Sequence, residues 1–156
     1  IIAVVEPNAS PIQERMTALR EAHERGLRTY GMLCPLLPGI ADDPASVDRL
    51  VDFVLGCGAE EIFVEPVNAR GSALRMTEQA LRAAGYGAAA DAIAQARRKA
   101  GWCAYARRLL DTVQQALRRR GAIEKLRFLL YTAKLLAPDD QWILAHPGGV
   151  KRLGRS

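Results

Sequence analysis

The sequence predicts an α/β protein: a partial (βα) barrel with parallel strands, followed by a helical segment and a short C-terminal α/β extension. Three observations lead there. Apolar runs alternate with amphipathic stretches at a period of roughly thirty residues, the mark of βαβ units and a parallel sheet. The alternation breaks at Gly85-Tyr86-Gly87, after which helical patterns dominate. The chain has 156 residues, whereas a full eight-fold barrel needs about 250. The expected division is therefore 1–86, the C-terminal half of a barrel, and 87–156, the extension packed on it.

The elements follow in order. Ile1–Val5 is apolar and reads as a strand or the end of a buried element, closed by Glu6-Pro7. Ser10-Pro11-Ile12-Gln13 reads as a helix start, with Ser10 as N-cap, proline at the first helical position and Gln13 completing a capping box. Ile12, Met16, Leu19 and Ala22 share one helical face, and Gly26 supplies a left-handed stop. Leu27–Cys34 is the next expected strand, ended by Pro35-Leu36-Leu37-Pro38-Gly39. Asp43-Pro44 opens a helix with Val47, Leu50, Val51, Val54 and Leu55 inward, stopped by Gly56 and Gly58. Glu61–Val67 is a strand, 73–84 a helix, 88–100 and 102–120 two more helices. Leu126–Tyr131 is a strand, Pro138-Asp139-Asp140 opens a short helix, and Val150–Leu153 is a final short strand.

Composition narrows the function classes. No apolar run approaches the roughly 20 residues that span a bilayer, so no membrane partner is expected. Cys34, Cys57 and Cys103 show no CxxC spacing, which fits a reducing, cytoplasmic setting and leaves no cysteine-ligated metal site in this chain. His23 and His146 cannot build one alone. The net charge of +5 is uneven: residues 1–80 hold 7 Lys/Arg and 12 Asp/Glu, residues 81–156 hold 15 and 5. A basic second half can meet a polyanion, so a non-catalytic basic α/β module that binds nucleic acid is one reading. The other is that Arg97-Arg98-Lys99 and Arg118-Arg119-Arg120 sit at helix C-termini, where positive charge complements the macrodipole.

The segment Glu6-Pro7-Asn8-Ala9-Ser10-Pro11-Ile12-Gln13-Glu14-Arg15, with HERGLRTYGMLCPLLPGI after it, resembles the radical S-adenosylmethionine (SAM) family that contains spore photoproduct lyase. Glu6, Pro7, Ser10, Pro11 and Arg15 follow that family's EP…SP…R order, and Cys34-Pro35-Leu36-Leu37-Pro38-Gly39 matches its proline-rich loop. AEEIFVEPVNARG, KLRFLLY and the terminal PDDQ…GGVKRLG look like the C-terminal region of bacterial members, the "DNA repair photolyase"-like group. The resemblance implies SAM and a 4Fe-4S cluster as cofactors and a 5′-deoxyadenosyl radical as the reactive species. It also implies that Glu6, Arg15, Cys34 and Pro35 lie at the SAM pocket, Cys34 through its backbone. The family's CxxxCxxC loop does not occur in this sequence; its ligands are expected upstream of Ile1, and the start without Met reads as a cut or processed chain.

Chemistry in a parallel barrel sits at the carboxyl ends of the strands. That rule alone selects Glu6, Cys34-Pro35 and the stretch from Glu65 to Asn68. Glu65, Asn68 and Arg70 offer a carboxylate, an amide and a guanidinium for a substrate mouth. Glu6 and Arg15 can serve the ligand or bridge to each other. A third reading takes Glu6, Glu65 and Arg70 as acid, base and anion clamp of another half-barrel enzyme.

Overall fold

A computed structural model of the chain describes residues 1–68, 72–131 and 135–154. Its centre is a four-stranded sheet of β1 (Gly31–Leu36), β2 (Ile62–Pro66), β3 (Leu126–Tyr131) and β4 (Val150–Leu153), in spatial order β1-β2-β3-β4 and parallel throughout. Helices α1 (Ile2–Val5), α2 (Ile12–Glu24) and α3 (Pro44–Gly56) come from the first part of the chain, and α4 (Ala73–Ala83) follows β2. Then come α5 (Gly87–Ala96), α6 (Lys99–Arg119) and, after β3, α7 (Ala137–Ala145). Among the described residues no helix is long and apolar enough to cross a membrane.

Sequential order has a direct consequence. Crossovers of one hand that always step the same way across a sheet deliver their helices to the same face. Leu33, Ile62, Val64, Leu126, Phe128 and Leu130 point to that face and are buried. Helix α3 packs on β1 there and α6 on β2 and β3, while α5 and α7 pack on α6. The alternate residues Met32, Cys34, Phe63, Glu65, Arg127, Leu129 and Tyr131 point the other way, and none of them is buried. Met32 is 64% exposed. Among the described residues the sheet is thus one-sided, although all-parallel sheets are ordinarily covered on both faces.

Local chemistry explains most of the boundaries. Asp43 caps α3, its Oδ1 accepting the Ser46 N–H at 3.0 Å, with Pro44 in the first turn. Val47, Val51 and Val54 are buried along one stripe, as the 3.6-residue period requires. The β1–β2 register runs Gly31↔Ile62 to Leu33↔Val64 and slips before Leu36↔Pro66. The slip falls at Pro35, which has no N–H for the ladder. At the other edge of the sheet, Gly149 turns into β4 at a φ of +76° while its carbonyl accepts Phe128 N–H at 2.8 Å. A Cβ there would meet the Leu126 Cβ at 2.5 Å.

Three expectations are corrected. Ile1–Val5 is a short helix, not a strand: Val5 N–H reaches the Ile1 carbonyl at 3.1 Å and Glu6 N–H the Ile2 carbonyl at 2.7 Å. A short apolar run does not discriminate helix from strand by its periodicity, and β1 carries no further strand on its outer edge among the described residues. The α2 N-cap is Pro11, without a side-chain cap, so the Ser10–Gln13 capping box does not form. The strand expected at 27–34 begins at Gly31; Leu27 is 60% exposed, and Thr29 donates its hydroxyl to the Cys57 carbonyl at 2.7 Å while its carbonyl accepts Glu60 N–H at 2.9 Å ahead of the strand.

Candidate functional site

The carboxyl ends of β1 and β2 bring Cys34 and Glu65 side by side on the open face. Leu33 pairs with Val64 and the register slips directly after it, and both the charge and the backbone of Glu65 act on the Cys34 thiol. The Cys34 thiol donates to the Phe63 carbonyl at 3.4 Å. Burial, reinforced by the Glu65 charge, pushes that thiol up to about 11. Cys34 is therefore a neutral thiol at physiological pH and a poor nucleophile. Glu65 is half-buried, and Asn68 lies half-buried just beyond the strand. Arg70 lies outside the described residues.

The row continues across the sheet. Leu129 pairs with Lys151, so Lys151 belongs to the same face as Glu65, with Leu129 between them. At a strand spacing of about 4.8 Å the two backbones are about 10 Å apart. The neighbouring Arg152 points the opposite way and meets Asp140 of α7 at 2.6 Å. Glu65 and Lys151 thus give the open face one anionic and one cationic group above an apolar floor of Met32, Phe63 and Leu129.

Glu6 and Arg15 do not belong to this row. They meet each other at 3.3 Å across the α1–α2 corner, with side chains 45% and 47% exposed. Since α1 is a helix, Glu6 does not follow a strand, and the strand-end rule loses its premise there. Among the described residues no hydrogen bond or ion pair joins this corner to Cys34 or Pro35.

Two aromatic side chains that the sequence presents only as packing hold the strand ends in place. The Tyr105 hydroxyl of α6 donates to the Leu36 carbonyl and accepts Val67 N–H at 3.0 Å. Trp102 Nε1–H donates to the Val67 carbonyl at 2.8 Å. Both rings are buried, 1% and 2% exposed. These bonds pin the carboxyl ends of β1 and β2 to α6 just past the slip. The legible signal was a Trp and a Tyr three residues apart on a buried helix stripe, each carrying a polar tip that burial obliges to find a partner.

The basic runs are largely spent inside the fold. Arg120 chelates Asp52 through Nε at 2.6 Å and Nη2 at 2.7 Å, and reaches Asp48 through Nη1 at 2.7 Å. Arg119 also takes Asp48, Arg97 takes Glu78, and Arg82 takes Asp91 and Glu78. Arg107 pairs with Asp139 and Arg127 with Glu61. These pairs tie α6 to α3, α4 to α5 and β3 to β2.

Cys57 and Cys103 are buried on separate elements. Among the described residues no group of three His, Cys, Asp or Glu side chains could hold a metal ion. The described residues therefore do not by themselves offer the set of thiolates that an iron–sulfur cluster takes. Comparison with protein-family models, with curated proteins and with solved structures returns no match to the chain.

Proposed function

We propose that this chain is the C-terminal part of a radical SAM enzyme resembling the spore photoproduct lyase group, and that the open sheet face is one wall of its barrel lumen. The observation that carries the reading is the one-sided, sequentially ordered parallel sheet with Cys34 and Glu65 at its carboxyl ends. That wall has the alternation of a barrel interior, with helices behind it and polar groups toward the ends of the strands. The ordered segments from Glu6 to Arg15 and from Cys34 to Gly39 supply the family resemblance.

Within this reading, SAM when bound supplies the radical, and this chain's residues position and shield. Pro35 and the Cys34 backbone would line the adenosine side, and the neutral thiol keeps Cys34 out of competing nucleophilic chemistry. Glu65, with Asn68 beside it and Lys151 across the row, would orient a polar substrate. The Glu6–Arg15 pair fixes the α1–α2 corner. The cluster ligands would come from polypeptide outside these 156 residues. The rival reading, a basic nucleic-acid module, is less well supported because so many second-half arginines already hold carboxylates.

The test uses the polypeptide encoded upstream and through this segment. A CxxxCxxC motif is expected upstream. The full protein, reconstituted anaerobically with iron and sulfide, is expected to release 5′-deoxyadenosine from SAM on reduction. A reading frame without that motif, or a cluster-loaded protein that leaves SAM intact under reductant, overturns the proposal. Salt-sensitive binding of duplex or single-stranded DNA by this chain would favour the rival reading.

A further inference from the structure

The helical layer, on the other side of the sheet from the open face, carries a cleft of about 290 Å³. Its walls are the loop after β1, the second half of α5 and the first half of α6. Small residues open it: Gly39 approaches α5 so closely that a Cβ would meet that of Ala92 at 2.6 Å. It lies next to the strand ends, because Tyr105, which lines it, is the residue bonded to Leu36 and Val67.

Asp42 and Arg108 face the same cleft without meeting each other. No ion pair within 4.0 Å forms between them, although both are described. Asp42 Oδ1 accepts Gly39 N–H at 2.7 Å, which fixes the carboxylate and leaves Oδ2 for another donor. Among the five arginines from Arg107 to Arg120, Arg108 is the one whose guanidinium has no side-chain acceptor among the described residues. Asp42 opposes ionisation of the Tyr105 hydroxyl and Arg108 favours it, so both charges are within electrostatic reach of one atom. Gln95 adds an amide that can donate or accept. The cleft therefore offers an anchored carboxylate, an uncommitted guanidinium and an amide around a floor of small side chains.

We propose that this cleft binds a small zwitterion of the α-amino-acid class, its ammonium on Asp42 and its carboxylate on Arg108. The guanidinium fork matches a carboxylate in two bonds, and the volume suits a ligand below the usual drug-sized range. The proposal does not rest on the radical SAM reading, since the cleft lies apart from the open face.

The experiment is a titration of the isotope-labelled chain with L-serine, followed through the backbone amide signals of Gly39, Gly101 and Ala104. Acetate and ethanolamine serve as half-ligands. Saturable shifts confined to the cleft are expected at millimolar L-serine, with both half-ligands at least about tenfold weaker. Asp42→Asn keeps the acceptor for Gly39, and Arg108→Gln keeps a polar side chain at the rim; each is expected to weaken L-serine by about tenfold or more. No saturable shift, acetate binding as well as L-serine, or unchanged binding in both variants overturns the proposal. The spectra themselves report whether each variant is folded.

Discussion

Replacing Tyr105 by phenylalanine removes one oxygen and leaves the ring. The native hydroxyl is the partner of the Val67 N–H and of the Leu36 carbonyl, at residues 6% and 4% exposed. Both groups sit at the Leu36↔Pro66 end of the ladder, just past the register slip, and the hydroxyl is the side-chain partner that bridges them. Each buried polar group left unpaired costs about 1–3 kcal/mol. Because the two groups keep their place at the paired end of the ladder, the predicted loss is that of about one unpaired group, about 1–3 kcal/mol, with the apolar contacts of the ring retained. For a chain of this size that is a fall of roughly 2–12 °C in Tm. The assay is urea unfolding followed by far-UV circular dichroism. The midpoint should drop at unchanged slope, because the surface exposed on unfolding is the same. Hydrogen exchange should quicken at the Val67 amide in particular. A loss below about 0.5 kcal/mol, the range of neutral surface changes, would show that these two groups do not depend on the hydroxyl. It would mean that a water from the adjoining cleft replaces the hydroxyl at little cost.

Three further outcomes are expected. Gln114 is fully buried and its amide donates to the His146 carbonyl at 2.9 Å and the Gly148 carbonyl at 2.7 Å; Gln114→Leu should cost about 2–4 kcal/mol in urea unfolding and speed exchange of the β4 amides. Iodoacetamide should modify Cys34 slowly at neutral pH, with a rate that climbs toward a midpoint near 11; Glu65→Gln should lower that midpoint, and an unchanged rate profile would remove the charge effect from the argument. The carboxyls of Asp48 and Asp52 are held below the usual range, chiefly by hydrogen bonds from Arg119 and Arg120 and from Arg120 respectively. Their folded-state values lie below the unfolded ones, so the stabilisation is complete above about pH 4 and is lost as pH falls through the folded values. Urea midpoints should therefore fall below about pH 4, less steeply in Arg120→Ala, and an identical slope in that variant would contradict this.

Much of the architecture was written locally. Asp43-Pro44 announces a helix because a side-chain oxygen and a preset φ suffice to start one, and α3 begins there. Gly26, Gly58 and Gly85 take positive φ at helix ends, as the patterns around them require. The apolar cores of β2 and β3 fell within a residue of their observed bounds, since each run is short and has breakers near it, Gly58 and Pro66 around the first and Gly121 before the second. Cys34 and Glu65 could be selected as residues near strand carboxyl ends from the parallel βα pattern alone.

The sequence by itself thus determined the α/β class, the order of strands and helices after Gly26, and the charge of each half. The tertiary structure decided what depends on distant partners. A five-residue apolar run became α1 because strand or helix there is chosen by neighbours, not by the run. Which alternate residues of each strand face helices, and which form the open face, followed from all crossovers landing on one side. The polar tips of Trp102 and Tyr105 found backbone partners more than thirty residues away, and the arginines of α6 found Asp48 and Asp52 about seventy residues away. Spacing along the chain cannot encode such pairings, because they come into existence only when the sheet and the helical layer have closed on each other.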